Sequence, residues 1–469
     1  MENKMTASNK VLWLFAIGQL GWSTLSGIVT NLLVFFYLPG KDAIEQGQQI
    51  YIPQGMFIGL TVIGIISAVG RIFDAVTDPF IAGKSDSLRH RLGRRIPFMR
   101  FAAIPFGLVT ILMFLAPQTE SRAANTAILF VCAMLFYLCM TCYCTPYNAL
   151  IPELGRTQKA RINISTFISV TYFFGTALAY VIPTAAGALK GSLGYANSYR
   201  VSIIVLAVIA VICMLIPAFL IDENKYANTT PSESSTFSSL ASTFKNREFR
   251  VFVGSDILYW IALTLFQTGL LYYVTELMGL PEAQSTTLFI IMSVASLCFY
   301  PLVNALARKM GKKKLIAFAF IFFSFAFLVT AFAGANPLSD KDDPTLLYGI
   351  IIALLASLPM AILGILPQAV VADIAESDKI DTGENRQGMF YAARTFAFKL
   401  GQSVAMLIFT SVASISKDTG LGYRLTAIIA TVLCLLGSFV FLRYNEKKVM
   451  QKIEAAAENA NTEISAEEE

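Results

Sequence analysis

The chain has 469 residues, of which 55% are hydrophobic and only 14% charged, and its mean hydropathy is +0.62. That leaves too little polar surface for a soluble globule of this length and points to an integral membrane protein embedded in a lipid bilayer. The single histidine, His90, lies in a basic loop and the seven cysteines lie in apolar segments; this excludes a secreted disulfide framework and leaves almost nothing for histidine-based metal or general-base chemistry.

A membrane-crossing helix needs about 20 predominantly apolar residues, because only a helix satisfies its own backbone hydrogen bonds in hydrocarbon. The sequence predicts about twelve such spans, at 11–38, 55–83, 97–116, 125–153, 162–188, 199–221, 249–277, 284–306, 315–334, 345–373, 387–415 and 420–442. The first follows Lys4 and Lys10, as a signal peptide would, but is too long for one and is expected to be a retained span.

Lysine and arginine concentrate in alternate loops, which predicts that both termini face the cytoplasm. The loop D-E-N-K-Y-A-N-T-T-P-S-E-S-S-T divides the spans six and six. The expected organisation is therefore a bundle at 1–222, a linker at 223–248, a second bundle at 249–444 and an acidic cytoplasmic tail at 445–469. Phe237, Leu240 and Phe244 recur at helical spacing in the linker and suit either a short interfacial helix or a loop packing its own aromatics. The two halves echo each other: R-H-R-L-G-R-R-I follows the second span and A-R-K-M-G-K-K-K follows the eighth. Equivalent basic, glycine-centred loops argue for two related six-helix bundles. No G-x-x-x-x-G-K-[ST] phosphate loop is present, so an ion gradient is the expected energy source.

The second span contains G-R-I-F-D-A-V-T-D-P. Spacings of three and four put Arg71, Asp74 and Asp78 on one helix face. A charge at mid-membrane costs at least a few kcal/mol when left alone, so this stripe must look inward. One reading is an ion-paired tie between helices; the stronger is a cation site, with Thr77 adding a hydroxyl, because repulsion between the two carboxylates needs a bound cation, a proton or basic partners. Lys399, deep in the eleventh span, is a candidate to balance the pair, as Arg71 is from within the stripe.

These motifs, with R-L-G-R-R-I-P, T-P-Y-N-A-L-I-P-E, A-D-I-A-E-S-D-K-I-D-T-G-E-N-R-Q-G-M-F-Y and T-F-A-F-K-L-G, resemble the glycoside-pentoside-hexuronide:cation symporters, the melibiose-permease branch of the major facilitator superfamily. The resemblance covers essentially the whole chain. It implies an all-α membrane protein of the major facilitator fold, a symporter rather than an enzyme, coupling to Na+ or H+ at Asp74 and Asp78, with Thr141 near the ion and Lys399 matching the family's lysine. Thr77 stands where the melibiose permease has an asparagine. Asp86, Arg94 and Arg95 resemble the superfamily's loop that latches the cytoplasmic ends of the helices.

The sugar-binding positions depart from that pattern. The family's aspartates fall at Ser23 and Cys144, its arginine at Ile168 and its stacking tryptophan at Asn148. A galactoside-like binding mode is therefore not expected, since buried sugar hydroxyls need matched polar partners. Gln19, Trp22, Asn31 and Tyr147 in the first half, with Asp256, Trp260, Gln267, Gln368, Arg394 and Gln402 in the second, are the remaining candidates to line a cavity. Arg394 would suit an acidic substrate such as a uronide. The expected partner is a small solute, a sugar derivative, with no nucleic acid and no cofactor beyond the coupling ion. A single inner-membrane chain holding both halves would suffice as a monomer, and a lysolipid or other amphiphile is the alternative cargo.

Overall fold

The computed structural model describes residues 6–155, 157–226, 242–334, 346–383, 386–416 and 419–467. Apart from one small hairpin, the regular elements are helices: α1 (Asn9–Tyr37), α2 (Lys41–Glu45), α3 (Val62–Ser87), α4 (Ile96–Leu115), α5 (Arg122–Leu154), α6 (Gln158–Leu193), α7 (Tyr195–Leu220) and α8 (Glu223–Tyr226). The series continues with α9 (Arg247–Tyr272), closed by a π-helical turn at Tyr273–Leu277, then α10 (Gln284–Met310), α11 (Lys312–Ala331), α12 (Leu346–Thr382), α13 (Gln387–Ala413), α14 (Leu421–Phe441) and α15 (Glu446–Glu467).

Eleven of the described helices are long and apolar enough to cross a membrane. The twelfth span is α3, whose 26 residues suffice in length and which Arg71, Asp74 and Asp78 set apart. This span starts later than the expected residue 55, because the chain first makes an antiparallel hairpin of β1 (Met56–Phe57) and β2 (Leu60–Thr61). Ile58 and Gly59 both take positive φ at its turn, the geometry that tight hairpins require. Helix α3 then begins with the Thr61 side chain accepting from the Gly64 N–H at 3.2 Å.

Helices α1, α3, α4, α5, α6 and α7 form one bundle and α9 to α14 the other. In the first, α1 packs on α6 and α7, α4 on α5 and α7, and α3 on α5; in the second, α9 packs on α13 and α14, α11 on α12 and α14, and α10 on α12. Each contact has its counterpart six spans later, the signature of an internal repeat. The bundles meet along α3 with α13, α6 with α10, and α1 with α9.

The echoed basic loops have a structural counterpart. At the start of α4 the backbone N–H groups of Arg94, Arg95 and Ile96 donate to the Glu223 carboxylate at 2.9, 2.8 and 2.9 Å. At the start of α11 those of Lys312 and Lys313 donate to Glu446 at 2.7 and 3.0 Å. A carboxylate from just beyond each bundle's last span thus caps its third span, satisfying orphan donors and the positive end of the helix dipole. The glycines of the two loops, Gly93 and Gly311, take positive φ, and a side chain on either would press into the capping carboxylate. Both features explain why glycine sits at the centre of each basic loop.

Of the linker aromatics, Phe237 and Leu240 lie outside the described residues, whereas Phe244 packs against Phe249 with ring centroids 5.5 Å apart. The acidic tail begins as helix α15, whose first turns dock on the second bundle: Val449 is buried and Lys452 pairs with Asp381 on α12 at 2.6 Å. Replacing Glu223 by alanine should lower the unfolding temperature of the purified protein, because hydrogen bonds to a charged group are worth about 1.5–3 kcal/mol each. An unchanged temperature would mean that water caps α4 equally well.

Candidate functional site

The charges of α3 meet α13 where the two bundles touch. Asp74 is fully buried; its Oδ1 accepts from the Thr141 hydroxyl at 2.9 Å and its Oδ2 lies 2.9 Å from Lys399 Nζ. One turn on, Asp78 Oδ1 accepts from the Thr145 hydroxyl at 3.1 Å and its Oδ2 from Lys399 Nζ at 2.5 Å. A single ammonium from the second bundle therefore bridges two carboxylates of the first. The i,i+4 spacing of Asp74 and Asp78 on α3 is matched by that of Thr141 and Thr145 on α5, so each carboxylate has its own threonine.

Thr145 was missing from the sequence-based set, although T-C-Y-C-T carried the signal: two hydroxyls one turn apart on the helix beside α3. Thr77 Oγ1 sits 3.3 Å from Thr141 Oγ1, while its own proton is directed to the Phe73 carbonyl at 2.9 Å. The oxygens gathered here, two carboxylates and two threonine hydroxyls, are hard ligands of the kind that suit a small cation. Among the described residues no cluster of three or more His, Cys, Asp or Glu side chains stands ready to hold a metal ion, and all seven cysteines are free thiols.

Arg71 turns away from the pair. Its Nη2 donates to the Thr30 hydroxyl at 2.9 Å and its guanidinium lies 5.4 Å from the Tyr137 ring centroid. Lys399 is thus the cation in direct contact with the aspartates, and Arg71 faces α1 and α5.

The cavity candidates divide. Trp22 is half-buried and tilted against Tyr172, 6.3 Å between centroids; Trp260 stacks on Phe398 at 4.5 Å, next to Lys399 in sequence. Among the described residues, both indole N–H groups and Asn31 Nδ2 are buried donors with no hydrogen-bond partner, as donors kept for a solute or water would be. Gln19 and Gln402 are buried and Gln267 half-buried. Tyr147, in contrast, is withdrawn into the first bundle: it is fully buried, donates to the Phe15 carbonyl at 2.9 Å and stacks on Phe15 at 4.1 Å. Ser23 donates to the Leu20 carbonyl of its own helix at 3.2 Å, Cys144 is half-buried, and Asn148 and Gln368 are exposed.

The expectation for Arg394 changes. Its Nε and Nη2 donate to both carboxylate oxygens of Asp256, at 2.8 and 3.0 Å, and both side chains are buried. A bidentate pair of this kind is already neutral, so Arg394 does not offer a free positive charge to an acidic substrate. On the face bearing the termini, Arg95 reaches Asp86 at 3.5 Å and Glu153 at 3.8 Å, and Arg94 donates to the Asp86 carbonyl at 3.3 Å. All these partners belong to the first bundle.

Two six-helix bundles that repeat each other's packing, with a charged seam between them, define a secondary transporter of the major facilitator class. The chain belongs to the family described as MFS/sugar transport protein, whose pattern matches residues 14–445. The isoprimeverose transporter of Lactiplantibacillus pentosus is 21% identical, with 83% of this chain and 77% of that one covered. The sodium-dependent lysophosphatidylcholine symporter 1-A of Danio rerio is 22% identical, with 81% and 78% covered. The crystal structure of a D-xylose–proton symporter superposes with a TM-score of 0.65 at 14% identity, over 94% of this chain and 98% of that one, which establishes the shared fold.

Removing one member of a buried charge cluster costs about 3–5 kcal/mol. Lys399→Ala should therefore unfold earlier than the parent in choline buffer and regain much of that loss in Na+, measured by thermal unfolding in detergent. Equal unfolding of K399A and parent in choline would show that Lys399 does not compensate Asp74 and Asp78.

Proposed function

We propose that the chain carries a sugar, glycoside or hexuronide-like solute across the inner membrane together with Na+ or a proton. The observation that carries this reading is the Lys399 bridge, because it makes ion binding and bundle contact compete for the same oxygens. A cation at Asp74, Asp78, Thr141 and Thr145 draws the carboxylates away from Lys399, which belongs to the other bundle. A ligand shifts a conformational equilibrium only through its different affinity for the two states. Here the difference arises because one state has Lys399 on the aspartates and the other has the ion.

The bundles at 1–222 and 249–444 then rock about this seam as rigid bodies, joined by the linker at 223–248, with the tail at 445–469 on the same side. The concentration of lysine and arginine on the face with the termini supports placing that face in the cytoplasm. Asp86, Arg94 and Arg95 latch helix ends there. The two aromatic pairs, Trp22 with Tyr172 and Trp260 with Phe398, suit the apolar faces of a sugar ring, and their unpartnered N–H groups suit its oxygens. One chain contains both halves of the pathway, so a monomer suffices.

A second reading keeps the mechanism and changes the cargo to a lysolipid. It is favoured by the Danio rerio relative and by the uncharged side chains at Ser23 and Cys144, which leave an amphiphile room. The discriminating experiment is thermal stability of the purified protein with neutral glycosides, uronides or lysolipids, each in Na+ or choline at two pH values, since a ligand of the folded state raises its apparent stability. A glycoside that stabilises only in Na+, or only at the lower pH, supports the sugar reading and identifies the ion. Stabilisation by lysolipid alone selects the second reading. Stabilisation by a glycoside with no dependence on either ion would remove coupling from Asp74 and Asp78.

A further inference from the structure

The seam between the bundles is closed on the face away from the termini, and one side chain there stands apart. Glu282 lies in the turn between the π-helical end of α9 and the start of α10. Its Oε1 accepts from the Tyr195 hydroxyl at 2.6 Å. Its Oε2 accepts from the Tyr199 hydroxyl at 2.6 Å and from Lys190 Nζ at 3.0 Å. Tyr195 and Tyr199 are one turn apart at the start of α7, so both hydroxyls leave the same helix face; Lys190 sits in the last turn of α6 and also donates to Gln46 at 2.7 Å.

All three donors come from the first bundle, and the carboxylate comes from the second. Among the described residues the Glu282 carboxylate has no partner within its own bundle. The side chain is nevertheless buried, at 6% exposure. A buried carboxylate held only from across a seam adds nothing to the internal stability of the bundle that carries it; its bonds exist in the state where that face is shut and vanish together when it opens. Neighbouring contacts complete the closure: the Tyr272 hydroxyl donates to the Leu38 carbonyl at 2.8 Å, Thr184 to Thr286 at 2.8 Å, and Tyr180 stacks on Phe289 at 3.8 Å. These three contacts are neutral and flank the charged centre.

We infer that Glu282, with Tyr195, Tyr199 and Lys190, is the latch of the gate on the face away from the termini, and that its strength sets how often that gate opens. This rests on the alternating-access reading above. Glu282 is a positioning residue: it touches neither solute nor ion in this role and acts on transport through the population of the two open states. The phenolic hydrogen bonds to a carboxylate are of the charge-assisted kind, so loss of each should raise the open population about tenfold or more.

The test uses the full-length protein in cells with Ser403→Cys as reporter. Ser403 is buried on α13 and donates to the Ala68 carbonyl across the seam at 3.1 Å, so a thiol there meets water only when the bundles part. A membrane-impermeant maleimide is added outside, with the Ser403 parent giving the background from the native cysteines. Glu282→Gln and the double variant Tyr195→Phe/Tyr199→Phe, each in the S403C background, should label at least tenfold faster than S403C alone. The phenylalanine pair keeps the ring packing, so it carries the test if E282Q fails to fold. Labelling unchanged by the phenylalanine pair overturns the latch. The parent reading fails separately: if neither Na+ nor acid changes the labelling of S403C in any variant, the rocking of the bundles is itself overturned.

Discussion

Two carboxylates one turn apart inside a membrane-spanning helix impose a constraint that the rest of the molecule answers. In a medium of low dielectric they cannot both be charged without nearby positive charge, and α3 supplies none in direct contact with them, since Arg71 is directed to Thr30. The compensation comes from Lys399 on α13, in the other bundle. The contact between α3 and α13 therefore rests on electrostatics as well as on packing, and in the proposed cycle a cation that replaces Lys399 at the oxygens relaxes it. In the proposed cycle, ion occupancy and bundle geometry become one variable because Lys399 holds one oxygen of each carboxylate that the ion would take.

The repeat gives this switch a frame. The principal contacts between helices of the first bundle recur in the second, and each bundle's third span is capped by a carboxylate placed just after its last span, Glu223 in one and Glu446 in the other. Capping of this kind ties the end of a bundle to its own interior, so each half can move as a unit. Across the seam the bonding is different in kind: among the described residues, Lys399 and Glu282 are single charged groups whose ion pairs are all with the opposite bundle. Rigid halves joined by a few buried charged contacts are a reasonable physical basis for two discrete arrangements rather than a continuum.

Much of this was legible in the sequence, and the divide follows the range of the interactions. Spans follow from local hydropathy, and the charged face of α3 from the helical period, so both could be read along the chain. Lys399 was reachable because a buried lysine and a buried aspartate pair each demand a partner. The bidentate pairing of Arg394 with Asp256 is not legible along the chain, because nothing in the linear spacing says which buried charges are already satisfied. Glu282 was silent for the same reason: its partners lie about ninety residues away, in a bundle whose orientation toward it is fixed only by the tertiary fold. The hairpin before α3 escaped because an apolar run was read as a helix, whereas the backbone at Ile58 and Gly59 turns it back.

The formal charges of Arg71, Asp74, Asp78 and Lys399 sum to zero when the aspartates hold only Lys399. A carrier of this design that has released its ion and a neutral cargo moves no net charge at its centre as it returns, whereas the loaded form carries one positive charge from the cation. The electrical component of the gradient, worth about 2.3 kcal/mol per elementary charge per 100 mV, then acts on the loaded half of the cycle and leaves the empty return indifferent to voltage. In the proposed cycle Lys399 is an internal counter-ion that would let the unloaded transporter travel back without spending the gradient that drove it forward.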